Sequence, residues 1–304
     1  YSSGLWKYTP VGDGKAYITA YSGFDSTLNI PTTLNGYIIS GISANAFSNK
    51  KGIDKVNIPS SVTYIGGSAF KGSSIKSIDI PSTVTEFGDY WTDASTFENC
   101  DNLTTVTFNA STDIPNTAFY DCDALKTVTI GNCTTSIGDR VFYSCDSLTT
   151  VKLGNSIKSI GSSAFGDSSL KSISFPSSVN YIGHTAFQNT KLTSINIPST
   201  VSGIERNAFT DCSDLTSVTF NASTSVPRCG FMNCTSLKSV TIGNSTTGIG
   251  YRAFKNCKSL KNVKIGDNTQ YIGTEAFEDT KSLESVKGGS VLTSIGNSAF
   301  ENSG

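Results

Sequence analysis

"FPSSVNYIGHTAF" at residues 175–187 nearly repeats "IPSSVTYIGGSAF" at residues 58–70, with nine of thirteen letters shared across an offset of 117. Self-similarity of this length points to an architecture built by copying one unit, so the period is read before anything else. Phenylalanines mark it: Phe47, Phe70, Phe97, Phe119, Phe142, Phe165, Phe187, Phe209, Phe231, Phe254, Phe277 and Phe300. Successive gaps are 22 or 23 residues, apart from 27 between Phe70 and Phe97.

The pattern between the marks is equally constant. "LKSISFPSSVNYIGHTAF" carries Leu170, Ile173, Phe175, Val179, Ile182, Ala186 and Phe187; the following unit carries Leu192, Ile195, Ile197, Val201, Ile204, Ala208 and Phe209. Pro or Gly usually follows the first apolar triplet and Gly usually follows the Ile of the second, which is turn punctuation. No window of about 11 to 18 residues holds the apolar stripe of a regular helix. Runs such as "SIKSIDI" instead read as short strands. One unit cannot bury its apolar side chains alone, but units stacked in register can. The expectation is a solenoid of about twelve turns with short parallel β-strands and little regular α-helix.

A longer period lies above the short one. "TVTIGNCTTSIG" at residue 127 returns as "SVTIGNSTTGIG" at 239, and "LTTVTFNAS" at 103 returns as "LTSVTFNAS" at 215, both offset by 112. Upstream of residue 85 the offset is 117, which places a five-residue insertion inside "FGDYWTDASTF". A block of five turns was duplicated, and one copy then changed length.

The unit L-x-x-[VI]-x-[IF]-[PG]-x-x-V-x-x-I-G-x-x-A-F-x-x-C strongly resembles the BspA-like leucine-rich repeat family, over about residues 24 to 304. The resemblance implies a right-handed leucine-rich-repeat solenoid of 22–23-residue turns, exported and displayed on a cell surface, with roles in adhesion and protein binding. It brings no catalytic residue and no cofactor. Departures stand at Thr96, Val141 and Gly230, where the family has Ala. "DIP" before Phe119 and "SVP" before Phe231 replace Ile-Gly, which suggests local irregularity and not another fold.

Residues 1–40 are less regular, and "LWKYTPVGDGKAYITAYSG" alternates around a Gly-Asp-Gly turn as a β-hairpin does. They are read as an N-terminal cap and lead-in segment holding Trp6 and Tyr8 against the first coil, with residues 41–304 as the repeats. After the twelfth mark the chain stops without a visible cap, which suggests that more domain follows or that this coil docks on something; truncation is the favoured reading.

Composition narrows function. Of 304 residues 15% are charged, and the net charge is −1 with no Lys/Arg block. A typical domain has about 25% charged residues. That argues against nucleic acid and anionic membranes as partners. No apolar run approaches the ~18 residues of a membrane span. The single histidine, His184, sits just after an Ile-Gly pair and reads as a solvated turn residue. Six of the eight cysteines, Cys100, Cys122, Cys145, Cys212, Cys234 and Cys257, lie three residues after a mark. That spacing stacks them as buried free thiols, with no metal geometry. Cys133 and Cys229 fall at turns and are expected to be exposed free thiols, intermolecular bridging being the alternative.

Two surfaces are candidate sites. Thr105, Thr107, Thr127, Thr129, Ser217, Thr219, Ser239 and Thr241 fall between inward strand residues, so they form a small hydroxylated ladder on the expected concave sheet face. Lys152, Asn196, Lys264 and Lys287 interrupt it, which argues against an ice-binding array. Asp89, Tyr90, Trp91 and Asp93 occupy the lengthened loop, and exposed Tyr and Trp are common interface anchors. Asp89 and Asp93 as glycosidase carboxylates lack a second wall and a pocket. Sequons at Asn102, Asn109, Asn132, Asn221, Asn233 and Asn244 matter only for a eukaryotic secretory route. The function expected is a non-catalytic extracellular or cell-surface adhesion module for protein partners, glycans being a second class. The alternative is a structural spacer self-associating through the uncapped last coil.

Overall fold

The computed structural model describes residues 1–88 and 94–304. Short strands alternate with turns throughout, giving a parallel β-solenoid of about twelve turns with no helix among the described residues. The chain divides into two compact units, Tyr1–Ser156 and Ile157–Gly304.

In the first unit one parallel sheet runs, in order, through Thr150–Lys152, Thr127–Ile130, Thr105–Phe108, Ser77–Ile80, Lys55–Asn57 and Thr27–Asn29. In the second, Ser194–Ile197, Ser217–Phe220, Ser239–Ile242, Asn262–Ile265 and Ser285–Gly288 form the equivalent sheet. Their alternation of apolar and small polar residues places every second side chain inward, as the pleat requires. Ile195, Val218, Val240 and Val263 are therefore register partners along one buried row, which Val286 continues in register at the last, more exposed strand. A second ladder is made of two-residue strands carrying the Tyr/Ser-Ile pairs, such as Tyr181–Ile182 beside Gly203–Ile204. It ends at Glu86–Phe87 in the first unit and restarts at Ile114, and it ends at Gly203–Ile204 in the second and restarts at Val226. Those restarts are the "DIP" and "SVP" turns, so the irregularity they suggested is a break in this ladder.

The marker phenylalanines file in one row within each unit. Phe47, Phe70, Phe97, Phe119 and Phe142 stack with centroids 4.9–5.5 Å apart and planes within 15°. Phe165, Phe187, Phe209, Phe231, Phe254, Phe277 and Phe300 do so at 5.1–5.4 Å and within 10°. This is the offset stacking that aromatic quadrupoles favour. The 27-residue gap leaves the row unbroken, with Phe70 and Phe97 at 5.2 Å.

Polar atoms inside the coil are satisfied turn by turn. Cys122 Sγ donates to the Phe97 carbonyl at 3.1 Å, and Cys145, Cys212, Cys234 and Cys257 repeat the contact one turn back at 3.1–3.3 Å. Where the column lacks Cys, Ser168, Thr190 and Thr280 donate instead to the Phe carbonyl of their own turn at 2.7–3.0 Å. Thr246 replaces the buried Val of the repeat, and its hydroxyl bonds the Ala222 carbonyl at 3.0 Å. Gly230 stands where Ala is usual because a Cβ there would meet Pro227 Cγ at 2.8 Å.

Each turn also contains two left-handed residues, two before and two after the marker Phe. The later position carries Asn or Asp in ten of twelve turns, the side chains that tolerate this conformation best after glycine. Their amides form a further ladder: Asn233 Nδ2 donates to Asp211 Oδ1 at 2.7 Å, and Asn256 Nδ2 to Asn233 Oδ1 at 2.8 Å.

At the N-terminus Trp6–Gly12 and Lys15–Tyr21 pair as an antiparallel hairpin, and the second strand continues in parallel onto Tyr37–Ile42. Tyr8, Ala16 and Ile18 are buried beneath it, and Trp6 packs on Tyr21 at 4.5 Å.

Candidate functional site: the outward sheet faces

Register decides which side chains share a surface. In the first unit Thr105 lies beside Thr127 and Thr107 beside Thr129, flanked by Ser77 and Asp79 on one side and by Thr150 and Lys152 on the other. In the second, Ser217 lies beside Ser239 and Thr219 beside Thr241. Each quartet is outward-facing and exposed or half-buried, while Val106, Val128, Val218 and Val240 between them are buried. The structure thus assembles the eight hydroxylated candidates into two four-residue patches, one per unit. Asp89, Tyr90, Trp91 and Asp93 lie outside the described residues.

The second patch continues into a groove of about 440 Å³, bordered by Thr241, Asn244, Asn262, Lys264, Asp267 and Lys287. That volume lies in the range of small-ligand sites, roughly 300–1,000 Å³. Ser285 Oγ donates to Asn262 Oδ1 at 2.9 Å, and Asn244 Oδ1 accepts the Asp267 amide at 2.9 Å, so the polar floor is held by its own bonds. Lys264 and Lys287 are register partners on neighbouring strands. Neither has an ion pair among the described residues. Like charges placed side by side on a sheet repel, and an incoming anion relieves that. Sequence reading treated these lysines as interruptions; their 23-residue separation, one repeat, was the available sign that they meet.

In the first unit a depression of about 780 Å³ lies where the two-residue ladder breaks, bordered by Tyr64, Glu86, Phe87, Asp113, Pro115 and Asn116. Its Asp113 is engaged structurally, because Oδ1 accepts the Thr135 amide at 3.0 Å, the Thr135 hydroxyl at 2.8 Å and the Ser136 amide at 2.7 Å.

The cysteine columns are buried free thiols. Burial pushes the Cys122, Cys234 and Cys257 thiols up, and takes Cys145 to about 12. Cys133 is exposed, but Cys229 is buried, which corrects the expectation of two exposed thiols. The Cys229 amide donates to the Tyr251 carbonyl at 2.9 Å, which lays the next turn against this position. His184 is half-buried on its turn, with Nδ1 2.9 Å from the Arg206 carbonyl oxygen. Among the described residues no cluster of three or more His, Cys, Asp or Glu is arranged to hold a metal, and no helix is long and apolar enough to cross a membrane.

These repeating columns define a leucine-rich-repeat solenoid. The chain belongs to the BspA type leucine rich repeat region family, whose six-copy description matches residues 20–111, 92–216 and 180–304. It is similar to a leucine-rich repeat protein from Bacteroides ovatus, at 25% identity and a TM-score of 0.69, covering 99% of this chain and 92% of that one. A leucine rich cell surface protein from Faecalibacterium prausnitzii matches at 26% identity and a TM-score of 0.52, over 98% and 94% of the two chains. A leucine-rich repeat protein from Eubacterium ventriosum matches in fold at 23% identity and a TM-score of 0.52, over 99% and 93%. No curated protein matches the chain. Membership in this family points to a protein-interaction or surface-repeat role.

Proposed function

We propose that the chain is a non-catalytic binding module of an extracellular or cell-surface setting, recognising protein partners through its outward sheet faces and the 89–93 loop. Glycans are the second class of partner, and no cofactor takes part. The reading rests on one observation: both units present an in-register, uncharged Thr/Ser quartet, and in the second unit it runs into a groove bordered by two neighbouring lysines. Short hydroxyls on a rigid sheet form hydrogen bonds at little entropic cost, which suits repeated contact with a peptide backbone or sugar hydroxyls. The similarity to a leucine rich cell surface protein supports the setting. Residues 1–40 serve as the cap that repeat arrays need at an end.

The test coats beads with the chain and measures adhesion to a reconstituted extracellular-matrix layer and to cultured cells. Thr127→Arg with Thr129→Arg, and Ser239→Arg with Thr241→Arg, place bulk and charge on each patch and are expected to abolish adhesion. Tyr90→Ala with Trp91→Ala probes the loop. Adhesion unaltered in all three variants removes this function.

A second reading is end-to-end stacking of copies as a structural spacer. Light scattering at rising concentration decides between the two, since a monomer throughout rules out assembly.

A further inference from the structure

The two copies of the duplicated block are close on the sheet face, and they differ in every turn at the residue three before each marker Phe. The first unit has Gly67, Ala94, Asn116 and Asp139 there; the second has His184, Arg206, Arg228 and Tyr251. Main-chain hydrogen bonds place these four one per turn: Thr185 N to Arg206 O at 3.4 Å, Asn207 N to Arg228 O at 3.0 Å, and Cys229 N to Tyr251 O at 2.9 Å. At the inter-strand spacing the column spans about 14 Å.

The side chains along it are organised. The guanidinium carbons of Arg228 and Arg252 lie 4.9 and 4.6 Å from the centre of the Tyr251 ring. Arg252 is tied to Glu275 at 2.6 Å. Arg206 and Arg228 are exposed and make no ion pair among the described residues. Glu205, the carboxylate next to Arg206 in sequence, accepts a hydrogen bond from the Tyr181 hydroxyl at 2.8 Å.

We propose that this column is a binding site for an acidic polysaccharide, a linear glycan bearing sulfate or carboxylate groups. The planar guanidinium fork is built for bidentate contact with such oxyanions, and cationic stacking on Tyr251 holds one of them in place. Spacing selects the polymer. Turns succeed one another at about 4.8 Å, while same-face side chains of an extended peptide recur at about 6.6 Å and fall out of step. Neighbouring units of an extended glycan present substituents on alternate sides, so what matches Arg206 and Arg228, about 4.8 Å apart, is the density of oxyanions on one or two sugar units of such a polymer. This surface is separate from the sheet patches, and its occupation does not depend on their role.

The experiment passes the full chain over immobilised heparin, polygalacturonate, poly-glutamate and neutral dextran at stepped ionic strength. Retention is expected on heparin, polygalacturonate or both, and the two arms tell sulfate from carboxylate as the preferred anion. It should weaken as salt screens the contacts. Arg206→Gln with Arg228→Gln should lower affinity about tenfold or more, the loss of charge-assisted bonds. Lys7→Gln with Lys15→Gln, two exposed lysines of the N-terminal hairpin outside every proposed surface, should bind as the unmodified chain does. As a readout free of mutation, bound heparin or polygalacturonate should protect Arg206 and Arg228 from phenylglyoxal. The proposal falls if neither polysaccharide retains the chain above dextran, if the arginine variant binds undiminished, or if the lysine variant loses as much. It also falls if poly-glutamate binds more tightly than both polysaccharides, which would make the partner an acidic peptide.

Discussion

Phe187→Ala tests the stacked interior directly. The ring is fully buried, 5.2 Å from Phe165 and 5.1 Å from Phe209, with Phe175 against its edge at 5.8 Å. Truncating a buried Phe costs about 3–5 kcal/mol. Aromatic neighbours add about 0.5–1.5 kcal/mol per pair, so three of them place this site near the upper end. Phe300 occupies the same column but is half-buried, with Phe277 at 5.3 Å as its ring partner. Phe300→Ala should cost only about 1–2 kcal/mol, because one stacking contact and part of the burial are at stake. Equilibrium urea unfolding gives both values. Amide exchange locates them, since in a linear array the loss falls on nearest neighbours. Phe165 N and Phe187 N, bonded to the Ala186 and Ala208 carbonyls at 2.8 Å, should lose protection first, while the strand Asn262–Ile265 keeps most of its own. A cost under about 1 kcal/mol for Phe187→Ala, or equal costs at the two sites, would refute the stacked-row account of stability.

Two further outcomes follow from titratable groups. Cys133 is exposed and the other seven cysteines are buried, with Cys145 held at about 12. Ellman's reagent near pH 8 should therefore find one reactive thiol in the native chain and eight after denaturation, the native signal vanishing in Cys133→Ser; two fast native thiols would contradict the burial of Cys229. Glu275 is lowered from 4.5 to about 2 by Arg252 and then Lys255. Because its folded value lies below the unfolded one, its contribution is present above pH 4.5 and is lost as pH falls toward about 2. Glu275→Gln should flatten melting temperature against pH inside that window, and superimposable profiles would contradict the Arg252–Glu275–Lys255 cluster.

The fold was legible because its determinants repeat. Twelve copies of an apolar pattern average out local noise, and the buried columns at Phe187, Ile182 and Val179 are the ones the spacing marks. The left-handed positions were legible too, since Asn or Asp two residues after most marks is the composition such a backbone asks for; attention to apolar periodicity passes over it. At the earlier left-handed position, Thr117, Arg140, Thr185 and Glu275 carry no such signature, so tertiary context imposes the conformation. Cys229 was misplaced for a similar reason: a turn position says nothing of what the next turn lays beside it. The Lys264–Lys287 pair and the Arg228–Tyr251–Arg252 stack depend on side chains from adjoining turns. Alignment of the repeats puts such residues in one column, but only the folded chain shows which are neighbours in register and which stack.

The two duplicated blocks also separate what such a coil can change freely from what it cannot. An inward column admits a substitution only with its compensation in the same or the adjoining turn. Thr246 enters a Val position by bonding the Ala222 carbonyl, Gly230 yields its space to Pro227, and Thr190 takes over from Cys by donating to the Phe187 carbonyl. Outward columns carry no such demand, because an exposed residue touches little beyond its neighbours above and below. Asn116 and Asp139 can thus become Arg228 and Tyr251 without disturbing the phenylalanine row beneath, where Phe231 and Phe254 remain 5.4 Å apart and 4° from parallel. Stability and recognition are then carried by different columns of one repeat. A change of partner needs substitutions in the outward set, and the two copies differ there, at the turn column, while keeping the same phenylalanine row.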